Sequence, residues 1–292
     1  MTFQSSLLEP DFLRLLERLE VLSRRSSSSR APGERRSRSK GRSVEFAEHR
    51  DYAAGDDFRT IDWNVYARLE KLFVKLFVEE REQTITVLVD RSQSMAGHKF
   101  LFARRLAAAL AYVGLCSYDR VALGLLGERL EGFLPPVRGR RQALPVFRFL
   151  EQAGCQGRTD LAASLTDFGR RFPRPGTVLV ISDFLQEGAG IEGLRFLRYQ
   201  KNQLFVLQVL ARDELEPELA GDVKLVDVET AEQRELTVTE SVLRAYRAAL
   251  DALCQELGSW CRKSGAGYHL APSDTDLERL LVRTLRASGL LR

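Results

Sequence analysis

Histidine, methionine and paired cysteine are scarce in this 292-residue chain. Its three histidines, His49, His98 and His269, lie far apart in sequence, so a zinc site has little to be built from. The four cysteines, Cys116, Cys155, Cys254 and Cys261, show no Cys-x-x-Cys spacing. That pattern reads as buried thiols in a reducing compartment rather than disulfides or a metal cage. No apolar run approaches the roughly 20 residues that a membrane helix needs. The N-terminus carries Glu9 and Asp11 instead of a cleavable signal pattern. The expectation is a soluble, cytoplasmic protein. A Gly-x-x-x-x-Gly-Lys-[Ser/Thr] loop and a Gly-x-Ser-x-Gly elbow are both missing, which removes the P-loop ATPase and serine-hydrolase readings.

What is present is ordinary for a globular chain: 44% hydrophobic and 29% charged residues, enough at this length for a sizeable core. From Pro10 the residues Phe12, Leu13, Leu15, Leu16, Leu19 and Leu22 recur at helical spacing, with Pro at a plausible first turn. Residues 24–42 then turn to Ser and Arg, with eight basic residues and one acid, Glu34. The whole chain carries +4, so without this segment it would stand at −3. Such a run reads as a solvated linker, with a phosphate- or acid-binding arm as the alternative. No aromatic interleaves its arginines, which weakens a nucleic-acid reading. Residues 45–68 are dense in acids, arginines and aromatics. Arg50, Arg59 and Arg68 lie near Asp51, Asp56, Asp57 and Asp62, which reads as a salt-bridge platform anchored to the body by Tyr52 and Trp63, with a partner surface as the alternative.

The informative stretch is Thr84-Ile-Thr-Val-Leu-Val-Asp90-Arg-Ser92-Gln-Ser94-Met95. An apolar, β-branched run that ends abruptly in an acid and two alternate serines reads as a buried parallel strand with its polar carboxyl end exposed to a ligand. Three oxygens on one tight loop suit a small hard cation. Taken alone, Asp-x-Ser-x-Ser is equally a turn that caps the next helix. Its company favours the metal. Thr159, in Gly157-Arg158-Thr159-Asp160, opens another helical pattern, and Thr177-Val-Leu-Val-Ile-Ser182 runs into Asp183. Asp90, Ser92, Ser94, Thr159 and Asp183 therefore fall on three loops predicted at one edge of one sheet.

The remaining pattern alternates strands and helices. Leu72 to Val78 reads as a strand forming an antiparallel hairpin with the central one. Strands follow at residues 120–126, 128–134 (ended by Pro135-Pro136), 204–210 and 268–271, with a short edge hairpin at 224–228 and 234–238. Helices are expected up to Glu151, at 160–171, near 190–200, at 241–263 and at 274–287. This alternation predicts an α/β fold: a mostly parallel, doubly wound sheet with helices on both faces. Residues 83–292 would form that domain, and 1–82 an N-terminal helix, basic linker and antiparallel extension.

The Asp-x-Ser-x-Ser, later Thr, later Asp order resembles the metal-ion-dependent adhesion site of von Willebrand factor A-type domains. More narrowly, Gly41-Arg-Ser-Val-Glu45-Phe46, Arg50-Asp-Tyr52-Ala-Ala-Gly55-Asp56-Asp57-Phe-Arg59-Thr-Ile-Asp62-Trp63, Ala67-Arg68 and Ile181-Ser182-Asp183-Phe184 resemble the bacterial domain-of-unknown-function 58 family. Ala54 stands where that family commonly has Pro, and Arg91 is a second departure. The resemblance implies a von Willebrand factor A-like domain binding Mg²⁺ or Mn²⁺. Ser92, Ser94 and Thr159 would meet the cation, and Asp90 and Asp183 would orient the hydroxyls through water. A partner's Asp or Glu would complete the coordination. It further implies a non-enzymatic protein-interaction module working with a MoxR-type AAA+ ATPase in a chaperone-like or assembly role. No catalytic residue is assigned. The alternatives are polyanion binding through residues 24–42 and a metal-dependent hydrolase.

Overall fold

In a computed structural model of the chain, residues 7, 9–28, 45–53, 55–78, 84–186, 188, 190–219, 221–226 and 233–287 are described. In chain order the elements are α1 (Pro10–Ser28), β1 (Glu45–Asp51), α2 (Trp63–Leu69), β2 (Phe73–Val78), β3 (Thr84–Asp90), α3 (His98–Cys116), β4 (Arg120–Leu126) and β5 (Leu130–Arg138). Then come α4 (Ala143–Gln152), α5 (Leu161–Arg171), β6 (Thr177–Ser182), α6 (Ile191–Tyr199), β7 (Gln203–Leu210), α7 (Arg212–Leu215), β8 (Gly221–Val226), β9 (Gln233–Val238), α8 (Glu240–Ser264), β10 (Gly267–Pro272) and α9 (Leu277–Ala287). They group into two compact units, residues 1–26 with 83–292 and residues 27–82.

The larger unit is built on a six-stranded sheet in the order β10-β7-β6-β3-β4-β5. β3 runs parallel to both β4 and β6, and β7 parallel to β6 and β10; the edge strand β5 is antiparallel. Side chains alternate between the faces as the pleat dictates. Ile85, Val87 and Val89 of β3, Leu179 and Ile181 of β6, and Phe205, Leu207 and Val209 of β7 join one core with residues of α3, α4 and α9. Leu88, Val178, Val180, Leu204 and Val206 join the other, with α5, α6 and α8. Burial on both faces explains why these strands read as near-continuous apolar runs. The doubly wound α/β architecture expected from sequence is the one observed. α3 lies close on the sheet: a Cβ at Gly114 would stand 2.9 Å from Val121.

β3 occupies the point where the strand order reverses. The chain goes from β3 to β4 on one side and later places β6 on the other, while α3 and α6 leave toward opposite faces. A crevice opens at the carboxyl ends of strands at such a reversal. Asp90 ends β3 there, and Ser182 ends β6.

Several expectations change. Helix α1 continues to Ser28, six residues beyond Leu22, into the Ser/Arg stretch. It also belongs with the sheet unit and not with residues 27–82, because Phe12, Leu15, Leu16 and Leu19 are buried in the first core. Polar contacts fix it further: Tyr112 Oη donates to Glu20 at 2.8 Å, Arg140 pairs with Glu20 at 3.1 Å, and Arg105 pairs with Glu9. β2 pairs antiparallel with β1, from Glu45↔Val78 to Asp51↔Phe73, and not with β3, whose two edges are taken by β4 and β6. β5 runs on through Pro135-Pro136 to Arg138, with an irregular register opposite Val121/Leu123. An edge strand tolerates proline because one side of its backbone has no ladder to serve.

The smaller unit consists of the β1–β2 ribbon and α2. Its acids act on backbone as much as on arginine. Asp62 caps α2 by accepting from the Asn64 and Val65 amides, and its other oxygen lies 2.9 Å from His49 Nε2. Asp57 accepts from the Arg59 amide, while Arg50 pairs with Asp56 at 2.7 Å. Trp63, expected as an anchor, is 58% exposed, its ring edge-on to Tyr66. Helix α2 buries none of its residues, and Tyr66 and Leu69 are exposed with Trp63. Of residues 24–42, those beyond Ser28 lie outside the described residues.

Candidate metal centre

Asp90 is the hub. In-register pairing of Val89 with Ile181 puts Ser182 beside Asp90 on the neighbouring strand, and Ser182 Oγ donates to Asp90 Oδ2 at 2.6 Å. Asp90 Oδ1 accepts from Thr159 Oγ1 at 2.7 Å and from the Ser92 amide at 2.9 Å. Ser92 Oγ and Ser94 Oγ are 2.9 Å apart. Asp90, Ser92, Thr159 and Asp183 are buried and Ser94 half-buried.

Backbone bonds bring Thr159, 69 residues away, to this point. The Arg91 amide donates to Leu126 O, Gln93 N to Gly157 O, Gln156 N to Arg91 O and Asp160 N to Gly127 O. Gly157 allows the turn at φ +63°, a conformation a Cβ would disfavour. Thr159 is not a helix cap. That role belongs to Asp160, which accepts from the Ala163 amide at 2.8 Å. Gln186 closes the third side by donating to the Thr159 carbonyl.

Asp183 is bonded to other partners than the hydroxyls. Its Oδ2 takes the ammonium of Lys99 at 3.0 Å, its Oδ1 accepts from the Leu185 amide at 3.3 Å, and its carbonyl accepts from Gln208. Lys99 also reaches Glu214 Oε1 at 2.5 Å. Phe184, next in the chain, is fully buried at φ +53°. A non-glycine residue in the left-handed region stores backbone strain, a frequent feature of ligand sites.

The electrostatics follow from burial. Desolvation pushes the Asp90 carboxyl above the usual range and the charge of Asp183 pushes the same way; hydrogen bonds from Ser182, Thr159 and the Ser92 amide oppose them. Burial would lower Lys99, but the charge of Asp183 and then the hydrogen bond and charge of Glu214 outweigh it and hold the ammonium above the usual lysine value.

Among the described residues no group of three or more His, Cys, Asp or Glu is placed to hold a metal. Any cation here depends on hydroxyls. The donor set fits a hard divalent ion in kind, being all oxygen. It also fits in charge, since Asp90, Asp183 and Glu214 against Lys99 leave a formal −2. Thr159 and Ser182 spend their protons on Asp90, which leaves hydroxyl lone pairs for other partners.

The structure thus joins Asp90, Ser92, Ser94 and Thr159 in one bonded cluster and ties Asp183 to Lys99. Sequence reasoning missed Ser182, Lys99, Gln186 and Glu214. Lys99 left a signal: it shares a helical stripe with Ala103, Leu106 and Leu110, all buried, and a lysine on an apolar stripe needs a buried acid.

Comparison with known proteins gives the relationship. The chain is 27% identical over 251 residues to the uncharacterized protein Rv1480 of Mycobacterium tuberculosis, which spans 83% of this chain and 79% of that protein. The uncharacterized protein Mb1516 of Mycobacterium bovis matches to the same extent. Among solved structures, conserved hypothetical protein BatB from Bacteroides thetaiotaomicron aligns with a TM-score of 0.46 at 16% identity, covering 71% of this chain and 98% of that one. The VWA domain of SpRpn10 aligns with a TM-score of 0.39 at 9% identity, covering 68% and 93%. The family described as protein of unknown function DUF58 matches residues 48–254, more than half of the sequence, and the chain belongs to that family.

Proposed function

We propose that this protein is a non-enzymatic, metal-dependent protein-interaction module with a von Willebrand factor A-like domain. The observation that carries this reading is that the Thr159 hydroxyl and the Ser92 amide both donate to Asp90, with Ser94 Oγ 2.9 Å from Ser92 Oγ, at the carboxyl end of the strand where the strand order reverses. Ser92, Ser94 and Thr159 would hold Mg²⁺ or Mn²⁺, while Asp90 orients the hydroxyls. When bound, the cation would supply an electrophilic centre that neutral hydroxyls leave undersaturated in charge, so that a carboxylate from another protein is its natural complement. A MoxR-type AAA+ ATPase is the partner implied by the resemblance noted above, in a chaperone-like or assembly role. No helix among the described residues is long and apolar enough to cross a membrane, which is compatible with a cytoplasmic partner.

The test has two arms. Mn²⁺ titration of the purified chain should show one weak site that is lost in Asp90→Asn and Ser92→Ala. Capture from native lysate with Mg²⁺, repeated with chelator, should retain an AAA+ ATPase only in the first case. Absence of any Mn²⁺ binding would overturn the proposal, and phosphoester turnover dependent on Asp90 would replace it with a hydrolase.

A further inference from the structure

The buried ammonium of Lys99 is the part of this site that the proposed function leaves unused. It enters from the first turn of α3, the helix that follows the loop from Asp90 to Ser94 in the chain, and its side chain is 4% exposed. One positive charge faces two carboxylates carried by the chain beyond two other strand ends, Asp183 after β6 and Glu214 after β7. Glu214 is itself held in place. Its second oxygen accepts the Ala211 amide at 2.7 Å, and Tyr246 Oη donates to its carbonyl at 2.8 Å. Asp183 directly follows Ser182, whose hydroxyl donates to Asp90 at 2.6 Å. The ammonium therefore sits on the carboxylate one residue along the chain from the Ser182–Asp90 hydrogen bond.

We infer that Lys99 is the built-in cation of the site and competes with a divalent cation for the Asp183 carboxylate. This rests on the metal reading above and adds its regulation. Without a divalent ion, Lys99 neutralises Asp183, so the buried acid is never unpaired and the fold does not depend on metal. With a divalent ion bound, Lys99 gives up Asp183 and keeps Glu214, which remains anchored by Ala211 and so retains the lysine close by. Each charge counts heavily in so dry a place. The cluster stands at a formal −2 with Lys99 and would stand at −3 without it, so the lysine holds cation affinity down until an incoming carboxylate adds its own charge. Cation and acidic partner then bind cooperatively, each weak without the other.

Mn²⁺ affinity of the full-length chain, read from the electron paramagnetic resonance signal of free Mn²⁺, tests this in four proteins. Lys99→Met should bind Mn²⁺ about tenfold or more tightly than wild type, as an unscreened buried charge at this range would dictate. Adding Asp183→Asn to Lys99→Met should abolish that gain, because the competition is for Asp183. Glu214→Gln should bind several-fold more weakly, since the ammonium then has only Asp183 to neutralise. Wild-type binding with no gain in Lys99→Met overturns the inference and leaves the metal reading standing. No binding in either wild type or Lys99→Met ends the metal reading and this inference with it. If Lys99→Met fails to fold, Glu214→Gln decides: unchanged or tighter Mn²⁺ binding overturns the competition.

Discussion

Asp90 spends both carboxylate oxygens on three donors, and its neighbours separate two roles that the sequence left mixed. Thr159→Val removes a hydrogen bond to a buried acid and should cost about 1.5–3 kcal/mol in chemical denaturation, with Mn²⁺ binding lost. Asp160→Ala removes only the cap of α5, costing about 1 kcal/mol, with Mn²⁺ affinity unchanged. Equal effects of the two on Mn²⁺ would make the Thr159 bond a structural detail. The thiols offer a second residue-scale check. Burial pushes Cys261 and Cys155 up to about 12, the charge of Asp90 adding to the effect on Cys155. At pH 8 each should hold on the order of a thousandfold less thiolate than an ordinary cysteine, so iodoacetamide should label both slowly until the protein is unfolded, as mass spectrometry can map. The linked stability has a definite sign. It is undiminished below the ordinary thiol pKa and falls as pH climbs from there toward 12, because the unfolded chain loses those protons first. The grouping of Asp90, Ser92, Ser94 and Thr159, which hydrogen bonds now link, was legible because strand ends and short motifs are local. Lys99 and Glu214 were not, since their meaning depends on contacts 84 and 115 residues apart.

At the scale of elements, what burial decides on both sides was readable and what a single neighbour decides was not. β3, β6 and β7 announce themselves because neither face meets water. β1 and β2 form a two-stranded sheet of their own, and nothing in residues 72–78 distinguishes β1 from β3 as a partner. Trp63 shows the same limit: aromatic character reads as an anchor, while its 58% exposure follows from where α2 ends up. Trp63→Ala should therefore shift stability by less than about 1 kcal/mol, against the roughly 3–5 kcal/mol of a buried aromatic. A loss in the larger range in thermal unfolding would return Trp63 to the core. Helix α1 is the opposite case. Leu19 is fully buried in the first core, so Leu19→Ala should destabilise the sheet unit by about 2–5 kcal/mol in urea titrations. An effect near zero would mean that α1 is not part of that core.

For the whole molecule, charge and chain order matter more than shape. The +7 of residues 24–42 outweighs the −3 of everything else, so any binding to heparin or DNA should fall steeply with salt, persist with chelator and vanish when those basic residues are replaced. Binding that needs Mg²⁺ would instead point back to Asp90 and its hydroxyls. Chain order has another consequence. The polypeptide places α1 in the core of the sheet unit, leaves to build residues 27–82, and returns at β3. A single backbone cut between residues 28 and 45 would therefore sever the sequence without parting the particle. The released end would stay seated through Leu7, Phe12, Leu15, Leu16 and Leu19, with Glu20 clasped by Tyr112 and Arg140. The molecule is in effect a ready-made split protein, whose short N-terminal piece and long C-terminal piece should find each other when made as separate chains.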